Sequence, residues 1–358
     1  AVWEDERALP GSLLVPSFEW ETSNDIYAVR IDATGRLIDR VPIPVAQEAA
    51  IQSNPQVVWN GTNWLVLFES VDVNGTGFYY EDSLEAVRIS PAGVVLDPTP
   101  IKIRNVNPPG SSWTAASDGT DWVVAFQEGD SNSALDLLRV TAAGVVLQGP
   151  KVVVPSTYFL RSNLRLAFAN GTFLFTWAEF SDTKALRFDS SFNVLDAAPL
   201  TLVPGHVITD LTTDGTQFYG VWTQPASFVD QVAGVLLDGG GSGVVISSNS
   251  SKPDAFAPAF AAWDGTNFRV SWASGSKLYV ARVSPAGTIL DPGGVLVPGP
   301  KSGPTASPGG GNLQVAWSVL KNNEFDTLSA QITAGNVAGR TVSIGIGAPA
   351  ETRSDAAM

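Results

Sequence analysis

One motif recurs along the chain at steps of roughly fifty residues: an acidic or amide residue, then Gly-Thr, then an aromatic one or two positions on. It reads Asn60-Gly61-Thr62-Asn63-Trp64, Asp118-Gly119-Thr120-Asp121-Trp122, Asn170-Gly171-Thr172-Phe173, Asp214-Gly215-Thr216-Gln217-Phe218 and Asp264-Gly265-Thr266-Asn267-Phe268. Asn-Gly and Asp-Gly between apolar runs signal hairpins, because both residues tolerate positive φ. Each turn is followed by a strand-like run closing on an aromatic, namely Phe68, Phe126, Trp177, Trp222 and Trp272. Two further runs share the strand without the turn and reach Phe18 and Trp317, which makes seven copies.

A second hairpin completes each unit. Its arms read Ala28-Val29-Arg30-Ile31 and Arg36-Leu37-Ile38-Asp39 in the first copy, and Ala86-Val87-Arg88-Ile89 with Val94-Val95-Leu96-Asp97 in the second. No helical apolar period of useful length interrupts them. Four strands repeated at this interval predict an all-β chain, a seven-bladed β-propeller of four-stranded antiparallel blades. The 34 Gly and 24 Pro residues are the turns such blades demand. One position counts the blades: Arg30, Arg88, Arg139, Arg187, Val235, Arg282 and Gln331. The residues before Arg30 and after Gln331 together make one further step, so residues 1–358 are read as a single domain. Trp3 aligns with Trp59 and Trp263 at the end of an innermost strand. The reading is that both termini meet in the first blade and close the ring, which leaves no free sheet edge at the seam.

The counting position carries charge. Arg30 with Asp39, Arg88 with Asp97, Arg187 with Asp196 and Arg282 with Asp291 share one spacing, and Val235 with Val244 has lost both charges together. Arg139 with Gln148 and Gln331 with Arg340 are the variants. These pairs are read as cross-strand structure rather than as an anion-binding ring. The strand-end aromatics are likewise read as core between blades.

Composition removes several function classes. The chain has no Cys, one His and a net charge of −14. It has no disulfide scaffold, no Cys nucleophile and no Cys or multi-His metal centre. An acidic surface disfavours nucleic acid, and no apolar run is long enough to span a membrane. The short Asp-Gly-Thr and Pro-Ala-Gly turns belong to the A–B and C–D side. The B–C and D–A connections are longer and varied, so the site is placed on that face. Its candidate ligand-binding residues are Tyr79, Tyr80, Glu81, Asp82, Trp113, Glu128, Asp130, Tyr158, Phe159, Asp182, Phe228 and Asp230. Aromatics beside carboxylates stack on sugars and hydrogen-bond their hydroxyls, or anchor a protein partner. The insertion from Ser70 to Ser83 contains Asp72 and Asn74 with interleaved glycines, a partial match to a calcium-binding loop; otherwise no cofactor is expected. His206 follows Val203-Pro204-Gly205 without a nucleophile motif and is read as incidental.

The phrases Arg88-Ile89-Ser90-Pro91-Ala92-Gly93-Val94-Val95-Leu96-Asp97 and Ala262-Trp263-Asp264-Gly265-Thr266-Asn267-Phe268 resemble repeats of secreted bacterial β-propeller proteins, over nearly the whole chain. The resemblance implies the fold and an extracellular, periplasmic or cell-surface location. The leading expectation is a monomeric, non-catalytic binding module for carbohydrate or protein. A structural or assembly propeller is the first alternative. A polysaccharide hydrolase or lyase is the second; it needs two carboxylates about 5–9.5 Å apart, from among Glu128, Asp130, Glu179 and Asp182.

Overall fold

The computed structural model describes residues 1–5, 24–48, 50–73, 80–106, 112–127, 134–147, 151–156, 161–224, 231–237, 243–247, 258–274, 277–297, 302–309, 312–321, 324–333, 339, 341–348 and 354–355. They form seven four-stranded antiparallel sheets, a seven-bladed β-propeller. Blade 1 contains β1 (Val2–Asp5), β2 (Asp25–Ala28), β3 (Ile43–Ala46) and, from the far end of the chain, β28 (Ser354–Asp355). Blade 2 holds β4 (Ile51–Trp59), β5 (Trp64–Val73), β6 (Tyr80–Ile89) and β7 (Ile101–Val106). Blade 3 holds β8 (Trp113–Ser117), β9 (Trp122–Gln127), β10 (Leu135–Val140) and β11 (Lys151–Val154). Blade 4 holds β12 (Arg161–Ala169), β13 (Thr172–Glu179), β14 (Asp182–Asp189) and β15 (Leu200–Val203). Blade 5 holds β16 (Asp210–Thr213), β17 (Phe218–Gln224), β18 (Gln231–Leu236) and β19 (Val244–Ser247). Blade 6 holds β20 (Phe260–Trp263), β21 (Phe268–Ser274), β22 (Lys277–Val283) and β23 (Val295–Val297). Blade 7 holds β24 (Ser302–Gly309), β25 (Asn312–Lys321), β26 (Glu324–Ile332) and β27 (Val342–Ala348).

The innermost strands β28, β4, β8, β12, β16, β20 and β24 each contact the next around a full circle. At the seam, Val2 pairs with Asp355 and Trp3 with Ser354. The placement of Trp3 differs from the sequence reading. Trp3 lies opposite Tyr27 in the second strand of its blade, not in the innermost one, which β28 supplies. Its true equivalents are Phe68, Phe126, Trp177, Trp222, Trp272 and Trp317, all 2% exposed or less. Phe18, read as the first-blade member of this set, lies outside the described residues. Second strands are buried on both faces because a neighbouring blade covers each side: every residue of β9 is buried.

The repeated turn works differently from a two-residue hairpin in four of five copies. Asn170 and Gly171 both have positive φ and close a tight turn between Ala169 and Thr172. Elsewhere only the glycine is left-handed, and the Asp or Asn caps a four-residue loop. Oδ1 of Asp264 accepts from the amides of Thr266 at 2.9 Å and Asn267 at 2.7 Å, and Oδ1 of Asn60 accepts from Thr62 and Asn63.

The arginine position is both a hairpin lock and an inter-blade bond. In blade 2, Oδ2 of Asp97 accepts from the Arg88 amide at 2.8 Å, and the guanidinium grips the same carboxylate at 2.7 Å. Its remaining nitrogen donates to the carbonyl of Ala142 in blade 3 at 2.8 Å. Arg30 reaches Pro91 in the same way at 2.9 Å, and Arg139 reaches Ser190. Arg139 takes its carboxylates from Asp118 and Asp121 of the turn in its own blade, at 3.0 and 3.2 Å; Gln148 lies outside the described residues. The fifth blade needs a correction. Val235 lies opposite Gly220 and Val244 opposite Gly234, whereas Leu236 occupies the arginine position and packs over Gly287 of blade 6. The missing bond is made instead by Gln217, whose amide donates to Pro285 at 2.8 Å. Gln331 of blade 7 donates to Ala33 of blade 1, which carries the ring across the seam; Arg340 is outside the described residues. Arg88→Ala is expected to lower unfolding stability by about 2 kcal/mol, the scale of hydrogen bonds to charged groups. Its denaturation midpoint should fall while ligand affinity is unchanged; a binding defect at an unshifted midpoint would restore the anion-ring reading.

Candidate functional site

The B–C/D–A face is built where innermost and third strands begin and where second and outer strands end. Of the residues expected there, Tyr79, Glu128, Asp130, Tyr158, Phe159, Phe228 and Asp230, with Asn74, lie outside the described residues. Asp72 and Glu81 face each other across β5 and β6, as do Val73 and Tyr80. The insertion read as a wrapping loop therefore starts as an extended hairpin; Asp82 also lies on its β6 arm, opposite Val71. The side chains of Asp72, Tyr80, Glu81 and Asp82 are outside what the structure describes. Among the described residues, no three His, Asp or Glu groups converge as a metal site would require.

Trp113 is committed to structure. Its indole N–H donates to Glu69 of blade 2 at 2.9 Å, and the other oxygen of Glu69 accepts from the Asn54 side chain at 2.9 Å. The Asn54 amide donates to Glu4 of blade 1 at 2.8 Å. Glu4 and Glu69 are buried, so this chain of bonds ties three blades together near the channel mouth. Asp210 does similar work along the channel wall. Its carboxylate accepts from the Ala261 amide of blade 6 at 2.7 Å and stands 3.8 Å from Arg165 of blade 4. Burial pushes the Asp210 carboxyl up against the pull of Arg165 and two amides. His206 stacks on Trp222 with ring centroids 5.5 Å apart.

The structure brings Asp182 together with groups that sequence reasoning had scattered. A cavity of about 410 Å³ opens between blades 3 and 4. Val154 and Pro155, at the end of β11, form one wall, and Trp177 closes the bottom. Arg161, Glu179 and Lys184 supply its polar lining. The register explains the grouping: Arg161 lies opposite Glu179, Trp177 opposite Lys184, and Glu179 opposite Asp182. Trp177 is only 1% exposed, so it forms a floor rather than an open ring face. Nε of Arg161 stands 3.4 Å from Glu179, and its Nη1 donates to the Pro155 carbonyl at 3.1 Å. Nζ of Lys184 donates to Thr201 at 2.7 Å and stands 3.4 Å from Asp182. The Gly205 amide, donating at 2.8 Å, holds the Asp182 carboxyl below the usual carboxylate range, with Lys184 adding to the effect.

Phe180 is an aromatic of the loop face whose backbone conformation the sequence does not foretell. It follows Glu179 at the tip of the β13–β14 hairpin, with φ 58° and 73% of its surface exposed. Only this first central residue of the turn is left-handed, a position that normally takes glycine. A bulky side chain there is strained by about 1–3 kcal/mol. Phe192 shares the strained backbone at φ 63°, but it packs edge-on against Phe188 at 5.8 Å and lies 5.2 Å beneath the Arg139 guanidinium.

No protein-family model matches the sequence, and no curated protein matches it. Solved structures do. A protein from Lactobacillus plantarum is 13% identical, with a TM-score of 0.52, over 97% of this chain and 96% of its own. A prolyl endopeptidase, from a study of inter-domain dynamics in catalysis and specificity, is 11% identical over 90% of this chain, with a TM-score of 0.52. This chain covers 46% of that endopeptidase. At such identities the likeness is one of fold.

Proposed function

We propose that this protein is a non-catalytic binding module, working outside the cytoplasm, that holds a carbohydrate on its B–C/D–A face. The observation that carries the reading is the cavity between blades 3 and 4. Its volume of about 410 Å³ falls within the usual range for small-ligand sites, and its indole floor, two cations and carboxylate are convergent polar groups on an apolar base. Hydroxyl-rich ligands use both donors and acceptors, and the cavity offers Arg161 and Lys184 beside Glu179. The absence of Cys and the resemblance of the repeat phrases to those of secreted propellers support the location.

The test is a glycan array probed with labelled full-length protein, followed by a reducing-end assay on every glycan retained. Retention without release of new chain ends is expected. Background retention throughout would sink the proposal in favour of a spacing or assembly role, and release of chain ends would replace it with a hydrolase.

A further inference from the structure

We propose that Asn170 is a site of spontaneous covalent modification: the Gly171 nitrogen closes on its side chain, ammonia leaves, and an isoaspartyl linkage forms in the turn between β12 and β13. The proposal is independent of the carbohydrate reading above.

The chain contains three Asn-Gly-Thr sequences, at Asn60, Asn74 and Asn170; Asn74 lies outside the described residues. Glycine favours the reaction in all three, because it puts no Cβ beside the attacking nitrogen and lets the backbone turn. The fold separates the other two. At Asn60 the side chain is buried and engaged at both ends. Its Oδ1 accepts from the amides of Thr62 at 3.0 Å and Asn63 at 2.8 Å, and its Nδ2 donates to the Thr120 carbonyl of blade 3 at 2.6 Å. Cγ cannot swing toward the Gly61 nitrogen until those bonds open. In blade 4 the turn is shorter. Phe173 follows Thr172 directly, and the two are already paired with Phe168 and Ala169. The residues two and three places on, which cap the side chain of Asn60, therefore belong to the ladder here. Asn170 and Gly171 are exposed, and among the described residues neither the Asn170 side chain nor the Gly171 amide is hydrogen-bonded. Open space surrounds the turn: a Cβ added at Gly171 would meet nothing within 4 Å, whereas at Gly61 it would come 3.2 Å from the Gly119 carbonyl.

The chemistry needs no co-reactant but water. The Gly171 nitrogen loses its proton and bonds to Cγ of Asn170 as the Cγ–Nδ2 bond breaks, and the proton leaves with Nδ2 as ammonia. Water then opens the five-membered imide at either carbonyl. Opening at the main-chain carbonyl routes the backbone through the side chain, lengthened by a methylene, and leaves a carboxylate behind. Nothing is oxidised or reduced. A two-residue turn with both φ positive has no room for the extra atom. The Asn170 amide donates to Gly215 of blade 5 at 3.1 Å, so the modification loosens a bond between blades 4 and 5.

The test is peptide mapping by mass spectrometry, with enzymatic methyl labelling of isoaspartyl groups. The full chain is aged at mildly alkaline pH, folded in one arm and in denaturant in the other. In denaturant the two sites share the sequence Asn-Gly-Thr and should convert at similar rates. In the folded chain, conversion at Asn170 should outrun that at Asn60 by about tenfold or more, because the cap at Asn60 must open first. The aged protein should melt below the fresh one. Asn170→Gly keeps a turn former in place and should neither label there nor lose melting temperature with age. Equal rates at the two sites in the folded chain, faster conversion at Asn60, or an Asn170 that stays intact while the denatured chain converts would each overturn the proposal. Full conversion at an unchanged melting temperature would overturn the loosening of blades 4 and 5.

Discussion

Replacing Asp264 with alanine is expected to destabilise the fold by about 3–5 kcal/mol, the scale for stranding a buried charge. Arg269 is 0% exposed on β21, and its side chain bonds to Asp264, itself 1% exposed by side chain. Two other things hang on that carboxylate. Its Oδ1 caps the β20–β21 turn through Thr266 and Asn267. It also fixes Arg269 so that a second nitrogen donates to Thr333 of blade 7 at 3.0 Å. One substitution therefore loosens a turn, a core and an inter-blade bond. Chemical denaturation of the single variant and of Asp264→Ala with Arg269→Leu separates these parts. The double variant should recover most of the loss, because a well-packed hydrophobe replaces a buried pair at little cost. A double variant no better than the single one would place the energy in the turn cap instead.

The sequence carried the fold well because a propeller repeats its physics. Strand alternation, Asp-Gly turns and the Arg–Asp lock recur often enough that one degenerate copy does not hide the period. What it misplaced is local. Blade 5 replaces arginine with Leu236 and moves the inter-blade bond to Gln217, so no residue at the expected place marks the register. Among the described residues, the innermost strand of blade 1 pairs through Ser354 and Asp355, too short a stretch to show a pattern. Trp3 was drawn to the wrong strand because Trp also closes innermost strands at Trp59 and Trp263. Asp182 and Glu179 are legible as loop-face carboxylates, but the way they group with their neighbours is not. Arg161, Lys184 and Trp177 meet only through strand register between distant segments. Ser181 and Asp182 are turn residues, but Glu-Phe-Ser-Asp puts neither Gly nor Asn at the left-handed position, which is the same fact as the strain at Phe180.

Trp3→Ala is expected to destabilise by about 3–5 kcal/mol, as large-to-small changes at fully buried tryptophans do. Trp3 is 0% exposed and packs with Val29 of blade 1 and with Ala316 and Ile344 of blade 7. It is a core residue, but the core it fills is the seam where the two ends of the chain meet. Around it the ring is joined by the pairing of Val2 and Trp3 with Asp355 and Ser354 and by Gln331 on Ala33. None of these is large alone, and the buried indole adds apolar contact across the seam. Trp122→Ala is the control, since Trp122 is equally buried yet lies between blades 2 and 3, donating to Val58 at 2.9 Å. Both variants should lose similar global stability. They should differ in hydrogen exchange, which reports local opening free energies. In Trp3→Ala the amides of β1 and β2 should exchange well before those of blades 3 and 4, because the ring opens at its seam first. In Trp122→Ala they should keep their rank. Uniform exchange in both variants would mean that blade 1 opens no more readily than any other, and that closure is spread evenly around the ring.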